Sequence, residues 1–179
     1  MIVPARPLDD DELLRFSADN PGWHIEREPD GSLSVSPASY RNSIRAAEAV
    51  RQLFVWGGEH GYAASAGGGI TLPDKAVRAP DASWISFERW YALTEQQREK
   101  FPKVLPDVVI EIVSYYDSYA AQRRKTQRYV EPGALYGVVI DRKTRQVEEF
   151  GERPAGLVLD FERIIDAGGR APDPTPPGS

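Results

Sequence analysis

An α/β domain is the fold class the sequence predicts, and three observations predict it. The run Val108 to Val113 is unbroken by alternation, as befits a central strand covered on both faces. A second fully apolar run ends in Asp141, from Ala134-Leu-Tyr-Gly-Val-Val-Ile. Helical signals precede each of these strands, from Arg41 to His60 and from Ala120 to about Val130.

Length and composition bound the rest. The 179 residues suit one domain, which at this size buries about two thirds of the surface its unfolded chain would expose. The absence of cysteine excludes disulfides and thiolate zinc sites. No apolar run approaches membrane-spanning length and the N-terminus lacks the pattern of a signal peptide, so a soluble, cytoplasmic protein is expected. A formal net charge of −5 argues against coating nucleic acid through a general positive field, though it leaves room for a nuclease with a local basic patch.

Taken in order, Asp9 to Glu12 ahead of Leu13, Leu14 and Phe16 predict a short helix with acid at its positive end. Trp23 to Glu28 and Ser32 to Ser36 flank Pro29-Asp-Gly31, a hairpin whose turn uses a proline and a glycine. From Arg41, the apolar residues Ile44, Ala47, Val50, Leu53 and Phe54 recur at helical spacing until Gly57-Gly58. Glu48 falls at the border of that stripe, where it can lean towards a site or remain a solvated helix glutamate. Tyr62 to Ala66 reads as a strand followed by a glycine turn, with Ile70 to Leu72 beyond it.

Val77 to Ser86 reads as one strand with Asp81 near its start, where period two puts Asp81, Ser83 and Ile85 on one face. Phe87 to Lys100 predicts one or two short helices, with a capping-box spacing at Thr94 and Gln97. After the central strand, Asp117 or Ser118 can cap a basic helix carrying Arg123, Arg124, Lys125 and Arg128, closed by Pro132-Gly133. Gln146 to Phe150 alternates like an edge strand, which leaves room for a symmetric homodimer, and Leu157 to Phe161 offers a last strand. From Ala167 the composition cannot pack, so the domain is expected over residues 1–166 with a disordered tail over 167–179.

Glu111 is the anomaly in this sequence. It places a carboxylate inside the apolar run Val108 to Val113, where an unpartnered charge costs several kcal/mol or holds a proton. A cation, a set of donors or a metal is the usual remedy, and a structural ion pair is the bland one.

These segments resemble, in order and spacing, the Uma-type restriction endonuclease family of the PD-(D/E)XK nuclease superfamily. The resemblance rests on the hairpin ending in Ser36-Pro37, the long helix, Arg-x-Pro-Asp (Arg78 to Asp81) and Pro-Asp-x-x-x-Glu-x-x-Ser (Pro106 to Ser114). Lys125, Tyr129, Gly133 and the strand ending at Asp141 complete it. It implies a restriction-endonuclease-like core, a mixed central sheet flanked by helices with an N-terminal β-hairpin, in which Asp81 and Glu111 converge on Mg²⁺ or Mn²⁺. The superfamily lysine normally follows the glutamate by two positions, where this chain has Val113, so the resemblance carries that role to Lys125 on the next helix. Arg41 and Tyr115 stand where the family tends to have histidine and proline.

The expected chemistry is phosphodiester hydrolysis, of DNA before RNA, with Asp81, Glu111 and Lys125 catalytic. Glu48 is an additional metal contact to test, and Arg123, Arg124 and Arg128 are expected to hold flanking phosphates. The competing class is a PD-(D/E)XK-like domain that binds nucleic acid or a protein without cutting, since fold does not establish activity. His24 and His60 are too few for a histidine metal site, and no Gly-x-Ser-x-Gly elbow exists.

Overall fold

Asp9 starts the first helix by a reciprocal cap: its carboxylate accepts from the Glu12 amide at 2.9 Å, and the Glu12 carboxylate accepts from the Asp9 amide at 3.0 Å. The computed structural model describes residues 1–115 and 117–169. Within them α1 (Asp10–Asp19) buries Leu13 against Leu33 and Val77. The expected hairpin follows as β1 (Trp23–Arg27) and β2 (Leu33–Pro37), and Gly31 takes φ +86° in its turn, the left-handed region glycine reaches without penalty.

The long helix α2 (Tyr40–Gly57) begins at Ser39, whose hydroxyl accepts from the Asn42 amide at 3.2 Å. Its buried stripe is rotated from the one the spacing predicted. Ala46, Ala49 and Leu53 face the core, whereas Ile44 and Phe54 stay exposed. Close approach explains the choice: alanines let the helix lie against the sheet, and Gly57 meets Trp84, whose indole nitrogen donates to the Gly57 carbonyl at 3.0 Å.

The chain then forms β3 (Gly61–Ser65), β4 (Ile70–Thr71), β5 (Val77–Arg78) and β6 (Ala82–Ser86). The single strand expected over 77–86 is therefore two. Pro80 lacks the amide that a continuous ladder requires, and the chain crosses there from one sheet to another. Two short helices, α3 (Phe87–Tyr91) and α4 (Glu95–Arg98), follow, the second with the predicted Thr94–Gln97 capping box. Then come β7 (Val108–Ile112), α5 (Tyr119–Val130), β8 (Tyr136–Asp141), β9 (Gln146–Gly151) and α6 (Phe161–Asp166). Ser118 caps α5 by accepting from the Ala121 amide at 3.1 Å.

The strands make two sheets flanked by helices. One, in order β2-β1-β5-β4, extends the hairpin; the other, β3-β6-β7-β8-β9, is mixed, with β7 and β8 parallel and every other pair antiparallel. The mixed sheet fits the predicted fold class, and the sequence reading did not include the second sheet. A last strand at 157–161 does not form. Leu157 and Leu159 are buried in the core, and Asp160 instead caps α6 by accepting from the Arg163 amide at 2.9 Å.

Alternation along β7 divides two cores. Val108, Ile110 and Ile112 pack with Ala49 and Leu53 of α2 and Ile164 and Ile165 of α6. Val109 turns the other way, towards Tyr129 of α5, and period two puts Glu111 on that same side. Gly137 on the neighbouring strand keeps α5 close, since a Cβ there would lie 2.8 Å from Thr126 and Val130. Among the described residues no helix is long and apolar enough to cross a membrane. The expected tail falls largely on residues 170–179, outside those described.

Candidate active site

Strands β1 and β7, helix α5 and the segment entering β6 bring polar side chains to one cavity of about 210 Å³, lined by His24, Glu26, Asp81, Glu111, Asp117 and Lys125 among others. Asp81 arrives by register. The β6–β7 ladder ends at the pair Ala82↔Ile110, so one further step sets Asp81 beside Glu111. The Asp81 carboxylate accepts from the Ile112 amide at 2.8 Å, which fixes it at the rim of the central strand. Burial raises its pKa from the ordinary value, against the opposing pull of Lys125 and of that amide.

Glu111 is 2% exposed. Lys125 Nζ lies 2.9 Å from its Oε1, but out of line for a hydrogen bond, so that oxygen has no aligned donor among the described residues. Burial pushes the Glu111 carboxyl up to about 8; Lys125 pulls the other way, and Asp81 and Glu26 add to the rise. Lys125 also lies 2.8 Å from Glu26 Oε1. Burial disfavours its charge, yet Glu111 and Glu26 together hold its pKa well above the ordinary lysine value.

Glu26 is the residue that sequence reasoning missed. Its Oε1 accepts from the Ala79 amide at 2.8 Å, and its Oε2 lies 3.6 Å from buried Arg78. Arg78 also pairs with Glu28, so the arginine of the Arg-x-Pro-Asp segment ties that segment to the hairpin and holds Asp81 in place. A signal was present: His24 and Glu26 alternate along β1 opposite Ser36 and Ser34 on β2, with Glu28 next in the period, while Ile25, Leu33 and Val35 fall on the other face. Asp107, in the Pro-Asp-x-x-x-Glu segment, has a structural place instead. It accepts from the Ser86 amide at 2.7 Å and pairs with Arg89 at 2.9 Å.

Glu48 is not brought to this cavity. Rotation of the α2 stripe turns it towards Arg51 at 2.7 Å, Gln52 at 2.9 Å and Arg163 at 2.9 Å. The arginine pairing holds its pKa down at about 2. Since the folded value lies below the unfolded one, Glu48 contributes stability above about pH 4.5 that is lost as pH falls through about 2. Glu48→Gln is expected to destabilise by roughly 1 kcal/mol at pH 7. That gap should close progressively in urea melts run from pH 5 down to pH 2.5.

The basic residues of α5 are largely committed as well. Arg123 pairs with Glu148 at 2.8 Å, and Arg128 pairs with Asp74 and lies 3.7 Å from Glu28; Arg124 is exposed. Two of the three arginines expected to hold phosphate thus already have carboxylate partners.

The donor set suits a hard divalent cation. Four carboxylates, Glu26, Asp81, Glu111 and Asp117, line the cavity with one ammonium, and Mg²⁺ is commonly held by one or two carboxylates with waters and substrate phosphate. Among the described residues no group of three or more histidine, aspartate or glutamate side chains is arranged to hold a metal.

The family model described as "Putative restriction endonuclease" (Uma2) matches residues 10–164. No curated protein matches the sequence. Among solved structures, a putative nuclease belonging to DUF820 from Anabaena variabilis superposes with a TM-score of 0.66 at 20% identity, covering 89% of this chain and 98% of that one. At that identity the likeness is one of fold. The family match spans both sheets and every element that lines the cavity, and the chain therefore belongs to the Uma2 family of putative restriction endonucleases.

Proposed function

We propose that this protein is an Mg²⁺- or Mn²⁺-dependent endonuclease that hydrolyses phosphodiester bonds of DNA. The observation that carries the reading is the juxtaposition of Asp81, Glu111 and Lys125 in one polar cavity, with the Glu111 Oε1 left without an aligned donor. A bound divalent cation supplies charge neutralisation at the phosphate and a more acidic water.

The chain's own residues do the rest. Asp81 and Glu111 present oxygen ligands from adjoining strand ends, and the Ile112 amide keeps Asp81 from rotating away. Lys125, held between Glu26 and Glu111, is placed to orient the attacking water or offset charge that builds on the phosphate. Val113, at the usual lysine position, is buried just past the end of β7, and Lys125 on α5 would supply the cation in its place. Strand β9 lies at an edge of the mixed sheet, where a homodimer would form by strand pairing.

A plasmid-nicking assay tests the proposal. Nicking is expected with Mg²⁺ or Mn²⁺ and absent with chelator. Tight metal binding without cleavage of any DNA or RNA substrate would instead favour a nucleic-acid- or protein-binding domain that has lost catalysis.

A further inference from the structure

Helix α2, the turn between β8 and β9 and the end of α6 line a second, open cavity of about 560 Å³ with Arg41, Arg45, Arg142, Arg145, Ile165 and Asp166. Its charge is unbalanced in an informative way. Arg145 takes both oxygens of Asp166, at 2.9 and 3.2 Å, and also pairs with Glu162. Arg41, Arg45 and Arg142 form no ion pair among the described residues.

Arg45 is the decisive member. It is 4% exposed, and the one hydrogen bond it makes among the described residues is from Nε to the Ile165 carbonyl at 3.0 Å. Its terminal nitrogens are therefore free to serve the cavity. The one acid of the lining, Asp166, is already held through both oxygens by Arg145, so gathering three further cations beside it is unfavourable unless an anion completes them. Burial, followed by the like charges of Arg41 and Arg142, lowers the Arg45 pKa below its ordinary value against the opposing pull of Asp166.

This cavity adjoins the candidate active site at two points. Arg41 stands next to Asn42, which lines the site. Arg142 lies 5.9 Å from the ring of Tyr115, another lining residue, and Lys143 Nζ lies 4.7 Å from the same ring. A strand whose scissile phosphate sits near Glu111 can thus run across Tyr115 and the first turn of α2 to reach these arginines. That turn carries no acidic residue to repel it.

We propose that Arg41, Arg45 and Arg142 form a subsite for a backbone phosphate of a polynucleotide, flanking the bond to be cut. This rests on the nuclease reading above and gives the substrate's path, which the arginines of α5 do not. Planar guanidinium groups grip phosphate oxygens by paired hydrogen bonds, so the site would recognise backbone and not base sequence.

Fluorescence anisotropy with a labelled 20-mer, single-stranded and duplex, in chelator and over a range of salt, tests this without requiring cleavage. The variants are the double substitution Arg41→Gln with Arg142→Gln, the double lysine variant at the same positions, and Arg98→Gln as a control outside the cluster. The glutamine pair should weaken binding by roughly ten-fold and make the slope of log affinity against log salt shallower by about one to two. The lysine pair should restore the slope, and Arg98→Gln should match the wild type. Wild-type affinity and slope in a glutamine pair that still melts like the wild type would overturn the subsite while leaving the nuclease reading intact. Loss of inorganic phosphate binding with unchanged oligonucleotide binding would also overturn it. Failure of the wild-type protein either to bind or to cut any oligonucleotide would remove the nuclease reading itself, and this proposal with it.

Discussion

Asp81→Asn and Glu111→Gln are each expected to lower metal-dependent DNA cleavage by roughly 10³-fold under single-turnover conditions. Either change removes a carboxylate that lines the cavity, and neither alters side-chain volume enough to disturb packing. Lys125→Met should cost a comparable amount for a different reason. It leaves Glu26 and Glu111 facing each other without the cation that now lies 2.8 and 2.9 Å from them. Because the three act as a unit, the triple variant should be little slower than the worst single one. Glu26→Gln should be milder, since it loosens Lys125 without removing it. Cleavage by the triple variant at the wild-type rate would show that the chemistry lies elsewhere.

The second large effect is on stability, and it has the opposite sign from the effect on activity. In metal-free protein the folded-state pKa of Glu111 is raised from 4.5 to about 8, so the folded chain holds a proton that the unfolded chain has released. Stability therefore falls as pH rises from about 4.5 to about 8 and levels off above that. Glu111→Gln removes the titration. It should be as stable as wild type near pH 5 and more stable at pH 8.5, by on the order of a few kcal/mol. A divalent cation reverses the ranking, because it favours the ionised carboxylate of the wild type and finds one ligand fewer in the variant. Urea unfolding at pH 5, 7 and 8.5, with chelator and with Mg²⁺, measures both halves. A Glu111→Gln protein less stable than wild type at pH 8.5 in chelator would mean that its ion pair with Lys125 outweighs its desolvation.

Local pattern made much of this molecule legible. Unbroken β-branched runs marked β7 and β8 because strands buried on both faces need apolar residues at every position. The capping-box spacing at Thr94 and the choice of Asp117 or Ser118 marked helix starts because a side-chain oxygen must satisfy the first free amides, and the acids from Asp9 marked another by their charge. Glu111 was conspicuous because a carboxylate in such a run demands a partner. Pattern failed where two faces competed. Ile44 and Phe54 suggested the wrong stripe of α2, since hydropathy does not reveal that the sheet requires small residues at Ala46 and Ala49 for close approach. That rotation also took Glu48 away from the cavity. Leu157 and Leu159 looked like strand residues because they are buried, but they have no strand to pair with.

By itself, then, the sequence determined the fold class, the central strands with their one costly carboxylate, and, through the order and spacing of its motifs, the resemblance to a nuclease family. Tertiary structure decided who stands beside that carboxylate. Lys125 is 14 positions beyond Glu111 and Glu26 is 85 before it, and only the folding of α5 and the hairpin over β7 brings the three within ion-pair distance. The same holds for Arg41, Arg45 and Arg142, which two helical turns and a distant hairpin set around one cavity. The physical reason is common to both. Periodicity reports which face of an element is buried, because burial depends on each residue's own hydropathy. Electrostatic partnership depends on distances between elements, and those are fixed by packing.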